Sequence, residues 1–158
     1  MLTRSVVQPV TSLVIANPTF GKGEELFPNL LSNGEFDDNI VGWTPYDGNT
    51  TATHDAGRLR IANNGAVYSA VSQSIYGLII GRVYRVTCDV TYGGSGKARS
   101  SATVGVASTI AGGFDAASTG TYTYTFTATA TTMMINFGNR NDNNAFHFYD
   151  NIICRLDS

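Results

Sequence analysis

Polar side chains that could bind a ligand are concentrated in the loop from Gly138 to Asn144. This loop contains Arg140, Asn141, Asp142 and Asn143. Amide and charged groups of this kind hydrogen-bond to ligands rich in hydroxyl groups, such as sugars. For the loop alone, the alternative is a solvated hairpin loop without a ligand.

Three tyrosines, Tyr46, Tyr68 and Tyr92, are candidates for aromatic platforms. A tyrosine ring offers a rigid apolar face, on which the C–H face of a sugar can stack at low entropic cost. Tyr46 lies between a proline and an aspartate, which favours an exposed turn. Tyr92 shares its parity with apolar residues of a strand pattern, so the alternative for Tyr92 is the protein interior.

The residues needed for catalysis are scarce. His54 and His147 are the only imidazoles, and they are not spaced as metal ligands. Glu35 and Asp37 lie too close in sequence to be a typical glycosidase pair, whose carboxylates flank the substrate. The sequence also lacks a Gly-x-Ser-x-Gly nucleophile motif, and the segment 93–97 lacks the Gly-Lys-Ser/Thr ending of a phosphate-binding loop. These observations favour a protein that is not an enzyme.

Composition and charge limit the expected partners. Of the 158 residues, 14% are charged, and the formal net charge is −2. Because no basic cluster is present, we expect no nucleic-acid partner and no attraction to anionic lipid. The longest candidate for a membrane span, Leu78-Ile79-Ile80, is far too short. The N-terminal segment lacks the apolar core of a signal peptide, so we expect synthesis in the cytoplasm and no membrane insertion.

The hydrophobic period of the chain is two, as in a half-buried antiparallel strand. The two clearest runs of this alternation are Val83 to Tyr92 and Gly120 to Ala128. Two further strands are predicted, each with its apolar side chains on the inward face. The inward residues are Met133, Ile135 and Phe137 in the first strand, and Phe146, Phe148, Ile152, Cys154 and Leu156 in the second. Weaker runs lie at Arg58 to Ala62, Val67 to Ile75 and Ala102 to Ala107. No segment keeps a helical period, so the predicted fold is an all-β sandwich or barrel.

The two cysteines, Cys88 and Cys154, both fall at apolar-parity positions of predicted strands. Two cysteines do not form a disulfide framework, and free cysteine is often buried. The sequence therefore predicts two buried free thiols.

The first 28 residues differ from the rest and predict an extended N-terminal arm. Three prolines interrupt this segment, and its apolar part is a single short run: Leu13, Val14, Ile15 and Ala16. Such an arm cannot bury itself, so it packs on the domain or pairs with a strand edge of another chain. We expect an anchoring arm at residues 1–28 and a folded domain at residues 29–158, with assembly proteins or a second copy of the chain as partners.

From Asn29 to Cys154 the chain resembles carbohydrate-binding modules of the family 4/9 type, in the galactose-binding-like jelly-roll group. The resemblance is carried by these segments in order: Asn29-Leu30-Leu31-Ser32-Asn33-Gly34-Glu35-Phe36-Asp37, Gly42-Trp43, Val71-Ser72-Gln73-Ser74-Ile75, Gly77-Leu78, Gly81-Arg82-Val83-Tyr84-Arg85-Val86, Tyr122-Thr123-Tyr124-Thr125-Phe126-Thr127-Ala128 and Phe148-Tyr149-Asp150-Asn151-Ile152. It implies a jelly-roll β-sandwich of two antiparallel sheets. Similar modules are common in phage tail fibres and head decorations, which implies a place on a virion surface.

The same resemblance implies a structural calcium ion as the one cofactor. Asp37 and Asp150 match family positions whose carboxylates often help to hold such an ion, although Asp37 replaces the more frequent glutamate. Carboxylate and carbonyl oxygens are the ligands that calcium prefers. The alternative is a capped turn at Asp37 and a carboxylate at Asp150 that accepts backbone N–H groups.

The predicted function is that of a non-catalytic accessory protein of a virion or surface assembly, of the decoration or fibre type, with a module that contacts glycans. One alternative is a purely structural capsid cement protein that binds no sugar. Another is a detached carbohydrate-binding module of a polysaccharide-degrading enzyme.

Overall fold

The computed structural model describes residues 27–65, 68–105, 112–140 and 144–157. These residues form ten strands and no helix, which confirms the predicted all-β class. The strands, in chain order, are β1 Thr44–Pro45, β2 Thr50–His54, β3 Leu59–Asn63, β4 Tyr68–Tyr76, β5 Val83–Tyr92, β6 Lys97–Thr103, β7 Asp115–Ala116, β8 Gly120–Thr127, β9 Thr132–Arg140 and β10 Phe146–Leu156. Among the described residues there is no helix with the length and apolarity of a membrane span. The predicted arm, including Leu13, Val14, Ile15 and Ala16, lies outside the described residues.

The strands form two five-stranded antiparallel sheets. The front sheet has the order β1-β4-β9-β6-β7, and the back sheet has the order β2-β3-β10-β5-β8. From β4 onward the chain crosses repeatedly between the sheets, which is the connectivity of a jelly roll. The predicted sandwich of two antiparallel sheets is confirmed.

Alternate side chains of the facing strands form the core, as the period of two predicts. In β5 the inward residues Tyr84, Val86, Cys88 and Val90 are all buried. Met133, Ile135 and Phe137 of β9 are buried opposite them. Both cysteines are buried free thiols, as predicted. Burial raises the pKa of the Cys154 thiol to about 12, so it stays protonated at neutral pH.

Trp43 closes one part of the core. Its ring centroid lies 5.7 Å from that of Phe36 and 5.7 Å from that of Phe137. The indole Nε1–H donates a hydrogen bond to the backbone oxygen of Asn33 at 3.1 Å. A buried indole is thus both packed and satisfied.

The segment that begins at Asn29 adds to the back sheet beside the end of β10. The backbone N–H of Leu30 donates to the carbonyl oxygen of Cys154 at 2.8 Å, and that of Ile152 donates to Gly34 at 2.9 Å. A Cβ atom at Gly34 would lie 2.2 Å from the carbonyl oxygen of Ile152, so this close approach requires glycine.

One strand differs from its prediction. Phe146 and Phe148 of β10 were expected to face the core, but His147 and Tyr149 are the buried residues there. The register of β10 against β5 shifts between Asp150 and Ile153, so β10 contains one extra residue, a β-bulge. The bulge reverses the parity, and Ile152 and Cys154 then face inward as expected.

The two phenylalanines therefore lie on the outer face of the back sheet. The guanidinium of Arg58 lies 4.1 Å from the ring centroid of Phe148, and that of Arg60 lies 4.9 Å from the ring centroid of Phe146. These cation–π contacts partly cover the apolar rings.

One of the three weaker strand predictions was displaced. The sequence suggested a strand at Ala102 to Ala107, of which residues 106 and 107 lie outside the described residues, whereas β6 begins earlier, at Lys97, and ends at Thr103. Its inward residues are Ala98, Ser100 and Ala102, which are too small or too polar to mark a strand by hydrophobic alternation.

Candidate functional site

The outer face of the front sheet contains most of the exposed aromatic residues and a cluster of cations. Along β4, Tyr68, Ala70, Ser72, Ser74 and Tyr76 share the parity that points away from the core. Most outward residues beside them are small or polar, with Met134 of β9 as the apolar exception: Asn136, Gly138 and Arg140 in β9, and Lys97, Arg99 and Ser101 in β6. This face is therefore polar, with tyrosines along one side.

A small pocket of about 30 Å³ opens on this face, and we call it the tyrosine pocket. It is lined by residues of the segment after β1 and of strands β4, β6 and β9: Tyr46, Asp47, Tyr68, Ser69, Ala70, Arg99 and Asn139. Tyr46 is 42% exposed and Tyr68 is 38% exposed, so both rings are accessible to a ligand.

Local hydrogen bonds hold Tyr46 beside β4. Its backbone N–H donates to the carbonyl oxygen of Ala70 at 2.8 Å. The carboxylate of Asp47 accepts the backbone N–H of Asn49 and the hydroxyl of Thr50, each at 3.0 Å. This Asx turn fixes the chain directions on both sides of the ring.

Arg99 lies in the floor of the tyrosine pocket and is only 9% exposed. Its Nε atom lies 3.7 Å from Oδ1 of Asp115, which is an ion pair but too long for a hydrogen bond. Among the described residues no group accepts a hydrogen bond from this buried Nε. This Nε is also shielded from solvent, so Arg99 contributes its positive charge to the pocket rather than an accessible Nε–H.

Arg140 and Lys97 form the row next to Arg99. Arg140 pairs with Tyr68 on one side and with Lys97 on the other, so the three side chains lie in one line across the sheet. The guanidinium of Arg140 lies 5.8 Å from the ring centroid of Tyr68. This contact orients the tyrosine ring and brings a second cation close to the pocket.

A second concavity, of about 410 Å³, continues along β4 on the same face. Tyr76 and Met134 are among its lining residues, together with Thr44, Ser72 and Ser74. Tyr76 is 69% exposed. Both concavities lie along β4, an arrangement suited to a ligand longer than one sugar residue.

The structure brings three of the predicted binding residues together: Tyr46, Tyr68 and Arg140. Tyr92 lies instead in the back sheet, where its ring stacks on His147 with centroids 4.8 Å apart. Its hydroxyl donates to the carbonyl oxygen of Gly96 at 3.0 Å, so both ends of the side chain are engaged.

The other predicted loop residues, Asn141, Asp142 and Asn143, lie outside the described residues. Lys97, Arg99 and Tyr76 were missed by sequence reasoning. Lys97 and Arg99 lie two residues apart, so both side chains point to the same side of a strand. This shared parity in the run from Lys97 to Thr103 is the sequence feature that could have indicated the two cations.

The predicted calcium ligands come from different parts of the chain: Asp150 lies in β10, the central strand of the back sheet, and Asp37 lies in the segment before β1. Asp37 is exposed, and Asp150 accepts the backbone N–H of Asn151 at 2.8 Å. Partial burial raises the pKa of Asp150, and the charges of Asp89 and Asp37 also raise it, whereas the Asn151 hydrogen bond and Arg58 lower it. Within the described residues no group of three or more histidine, cysteine, aspartate or glutamate side chains could hold a metal ion. The described carboxylates thus do not form a calcium cage by themselves, and calcium binding stays a prediction.

Comparisons with known proteins bear on the fold. No protein-family model matches the sequence, and no curated protein sequence matches it. Among solved structures, a CBM4 carbohydrate-binding module has a TM-score of 0.61 at 16% identity, covering 80% of this chain and 99% of that one. The CBM22-1 xylan-binding domain of Paenibacillus barcinonensis Xyn10C has a TM-score of 0.62 at 14% identity, covering 82% and 95%.

A third similar structure is the enzymatically active domain of tailspike protein 4 from bacteriophage CBA120. Its TM-score is 0.63 at 18% identity, with 82% of this chain and 21% of that chain covered. The described part of the chain therefore has the jelly-roll fold of carbohydrate-binding modules.

Proposed function

We propose that this protein binds a glycan without catalysing a reaction, and that the tyrosine pocket is the primary contact. One observation carries the proposal: two accessible tyrosines flank a pocket that is also lined by a buried arginine. Aromatic rings supply the stacking surface for a sugar, and fixed polar groups give orientation. Similarity in fold to a xylan-binding domain supports the same ligand class.

The wider role that we propose is that of an accessory protein on a virion or other surface assembly, held there by its N-terminal arm. The fold similarity to part of a phage tailspike supports this context. The rival role, a module of a polysaccharide-degrading enzyme, is supported by the similarity to a domain of a xylanase-type protein, Xyn10C. Neighbouring genes distinguish them, since virion structural genes favour the first role and glycoside hydrolase genes the second.

A glycan array with the full chain tests the binding proposal, followed by titration calorimetry on any ligand found. We expect Tyr46→Ala and Tyr68→Ala each to weaken binding by about tenfold, as the loss of one aromatic contact implies. Tyr46→Phe and Tyr68→Phe are matched controls that keep the ring, and they should retain most of the affinity. If no glycan binds, the cement role without sugar binding replaces this proposal.

The variant Tyr76→Ala tests whether the ligand contacts both concavities or only the tyrosine pocket. Tyr76 lies in the second concavity, one full strand length from Tyr68 on the same face of β4. A loss of affinity for long oligosaccharides only would indicate a ligand that follows β4 through both concavities. An unchanged affinity for all lengths would confine the ligand to the tyrosine pocket.

A further inference from the structure

Three of the ten lysine and arginine residues of the chain lie on adjacent positions of the outer front face. Lys97 and Arg140 are directly opposite each other in the β6–β9 ladder, and Arg99 is the next outward residue of β6. Like charges at directly opposite strand positions are unfavourable. The fold itself therefore gains nothing from this arrangement.

The described anions near these cations only partly compensate them. Asp115 lies opposite Arg99 but is 45% exposed in its side chain, and its oxygen is 3.7 Å from Nε. The carboxylate of Asp47 is used by the turn that holds Tyr46. Around the pocket the described cations Lys97, Arg99 and Arg140 outnumber the described anions Asp47 and Asp115 by one, in a protein whose formal net charge is −2.

The burial of Arg99 strengthens this argument. A charge that is removed from water is costly unless it is paired and hydrogen-bonded. The Nε of Arg99 has no hydrogen-bond partner among the described residues, and the same holds for the buried Nε of Arg140. Planar guanidinium groups match carboxylates through two parallel N–H···O bonds, which a neutral hydroxyl cannot replace.

We propose that the tyrosine pocket selects a saccharide residue that carries a carboxylate. In this arrangement the sugar ring stacks on Tyr46 and Tyr68, and its carboxylate accepts hydrogen bonds from Arg99 and Arg140. Lys97 adds positive charge at the rim. A cavity of about 30 Å³ holds about one water-sized group, so the carboxylate enters the pocket while the sugar ring stays at its mouth. This inference rests on the proposed glycan binding and specifies its ligand class.

The experiment compares uronate-containing oligosaccharides with the same oligosaccharides after reduction of each carboxylate to a primary alcohol. Both forms have the same linkages and ring faces, so only the anionic group differs. With the full wild-type chain at low salt, we expect the carboxylate form to bind roughly 10- to 100-fold more tightly, as charged hydrogen bonds imply. This difference should shrink at high ionic strength, because Lys97 and Arg140 are partly exposed.

The outcomes separate this inference from the proposed function. Equal binding of acidic and reduced forms, or binding of neutral glycans only, overturns the acidic-ligand assignment and leaves glycan binding in place. Preference for sulfated sugars over uronates overturns the carboxylate assignment. Absence of binding to every glycan overturns both proposals.

Charge-removing variants test which side chains carry the preference. Arg140→Met and Lys97→Met should each reduce the ratio of the affinity for the carboxylate form to the affinity for the reduced form. The matched control is Arg60→Met, which removes a cation with a similar aromatic contact from the opposite sheet. If Arg140→Met keeps the full preference and the wild-type melting temperature, the assignment of the cations to the ligand is wrong.

Discussion

The buried imidazole of His147 should make the stability of the protein depend on pH. His147 is fully buried in β10, and its Nδ1 accepts a hydrogen bond from the backbone N–H of Gly93 at 3.1 Å. The neutral ring therefore carries its proton on Nε2, which has no partner among the described residues. Burial lowers the pKa of His147 from 6.5 to about 4.

The sign of the effect follows from proton linkage. Between the folded pKa of about 4 and the unfolded value of 6.5, the unfolded chain binds a proton at this site and the native protein does not. Stability is therefore fully present above pH 6.5 and is lost as the pH falls toward 4. With about 1.4 kcal/mol per pKa unit, the loss between pH 8 and pH 5 is about 2 kcal/mol.

Urea unfolding at a series of pH values measures this loss, with His147→Gln as the test variant. Its amide oxygen can accept the Gly93 N–H, so we expect a lower but flatter stability curve between pH 8 and pH 5. The control His54→Gln removes the other, exposed imidazole and should keep the wild-type slope. A wild-type slope in His147→Gln would refute the assignment of the pH dependence to this residue.

Three further predictions concern the core, the metal and the arm. Phe137→Ala should destabilise the fold by about 3–5 kcal/mol, as measured by urea unfolding. Phe126→Ala should have a smaller effect because Phe126 is only partly buried. Equal effects of the two variants would contradict this ranking. If calcium binds through Asp37 and Asp150, the melting temperature should rise when calcium is added and fall when a chelator is added. The variant with asparagine at both positions should show neither change. A wild-type melting temperature that is unaffected by calcium and by chelator would exclude the ion. Residues 29–158 should fold alone, as measured by circular dichroism. In a docking assay they should fail to compete with the full chain for its assembly site. Undiminished docking of residues 29–158 would place attachment on the sandwich.

The sequence predicts the sandwich because, in a strand with one apolar face, the alternation of apolar and polar residues shows which side chains are buried. The limit of that reasoning is visible in β10, where one parity contains Phe146, Phe148, Ile152, Cys154 and Leu156. A continuous strand would bury them all. The bulge depends on Asn151, which has a φ of 49°, and asparagine tolerates this left-handed conformation better than most residues. Alternation cannot detect one inserted residue, so Phe146 and Phe148 were assigned to the wrong face.

The candidate site was predicted only in part, for a different physical reason. Tyr46, Tyr68 and Arg140 were found because aromatic and charged residues beside turn signals indicate exposed binding groups. Arg99 was missed because its strand buries small residues and gives no hydrophobic signal. Burial of a charged residue also depends on which strands lie beside it, and strand order is not a property of local sequence.

One row across the front sheet explains how the pocket arises from residue size. From β1 to β7 this row runs through Tyr46, Ala70, Gly138, Arg99 and Asp115. The two small residues stand between a tyrosine and an arginine, so the sheet surface is lowest in the middle of the row. Neighbouring strands lie about 4.8 Å apart, and the two small residues leave a small depression of about 30 Å³ beside Tyr46 and Arg99. The same strands are fixed from below by Phe137 and Ala98 in the core. The pocket is thus held by the most buried part of the sheet, which supports a preformed site in which stacking and charge recognition require little rearrangement.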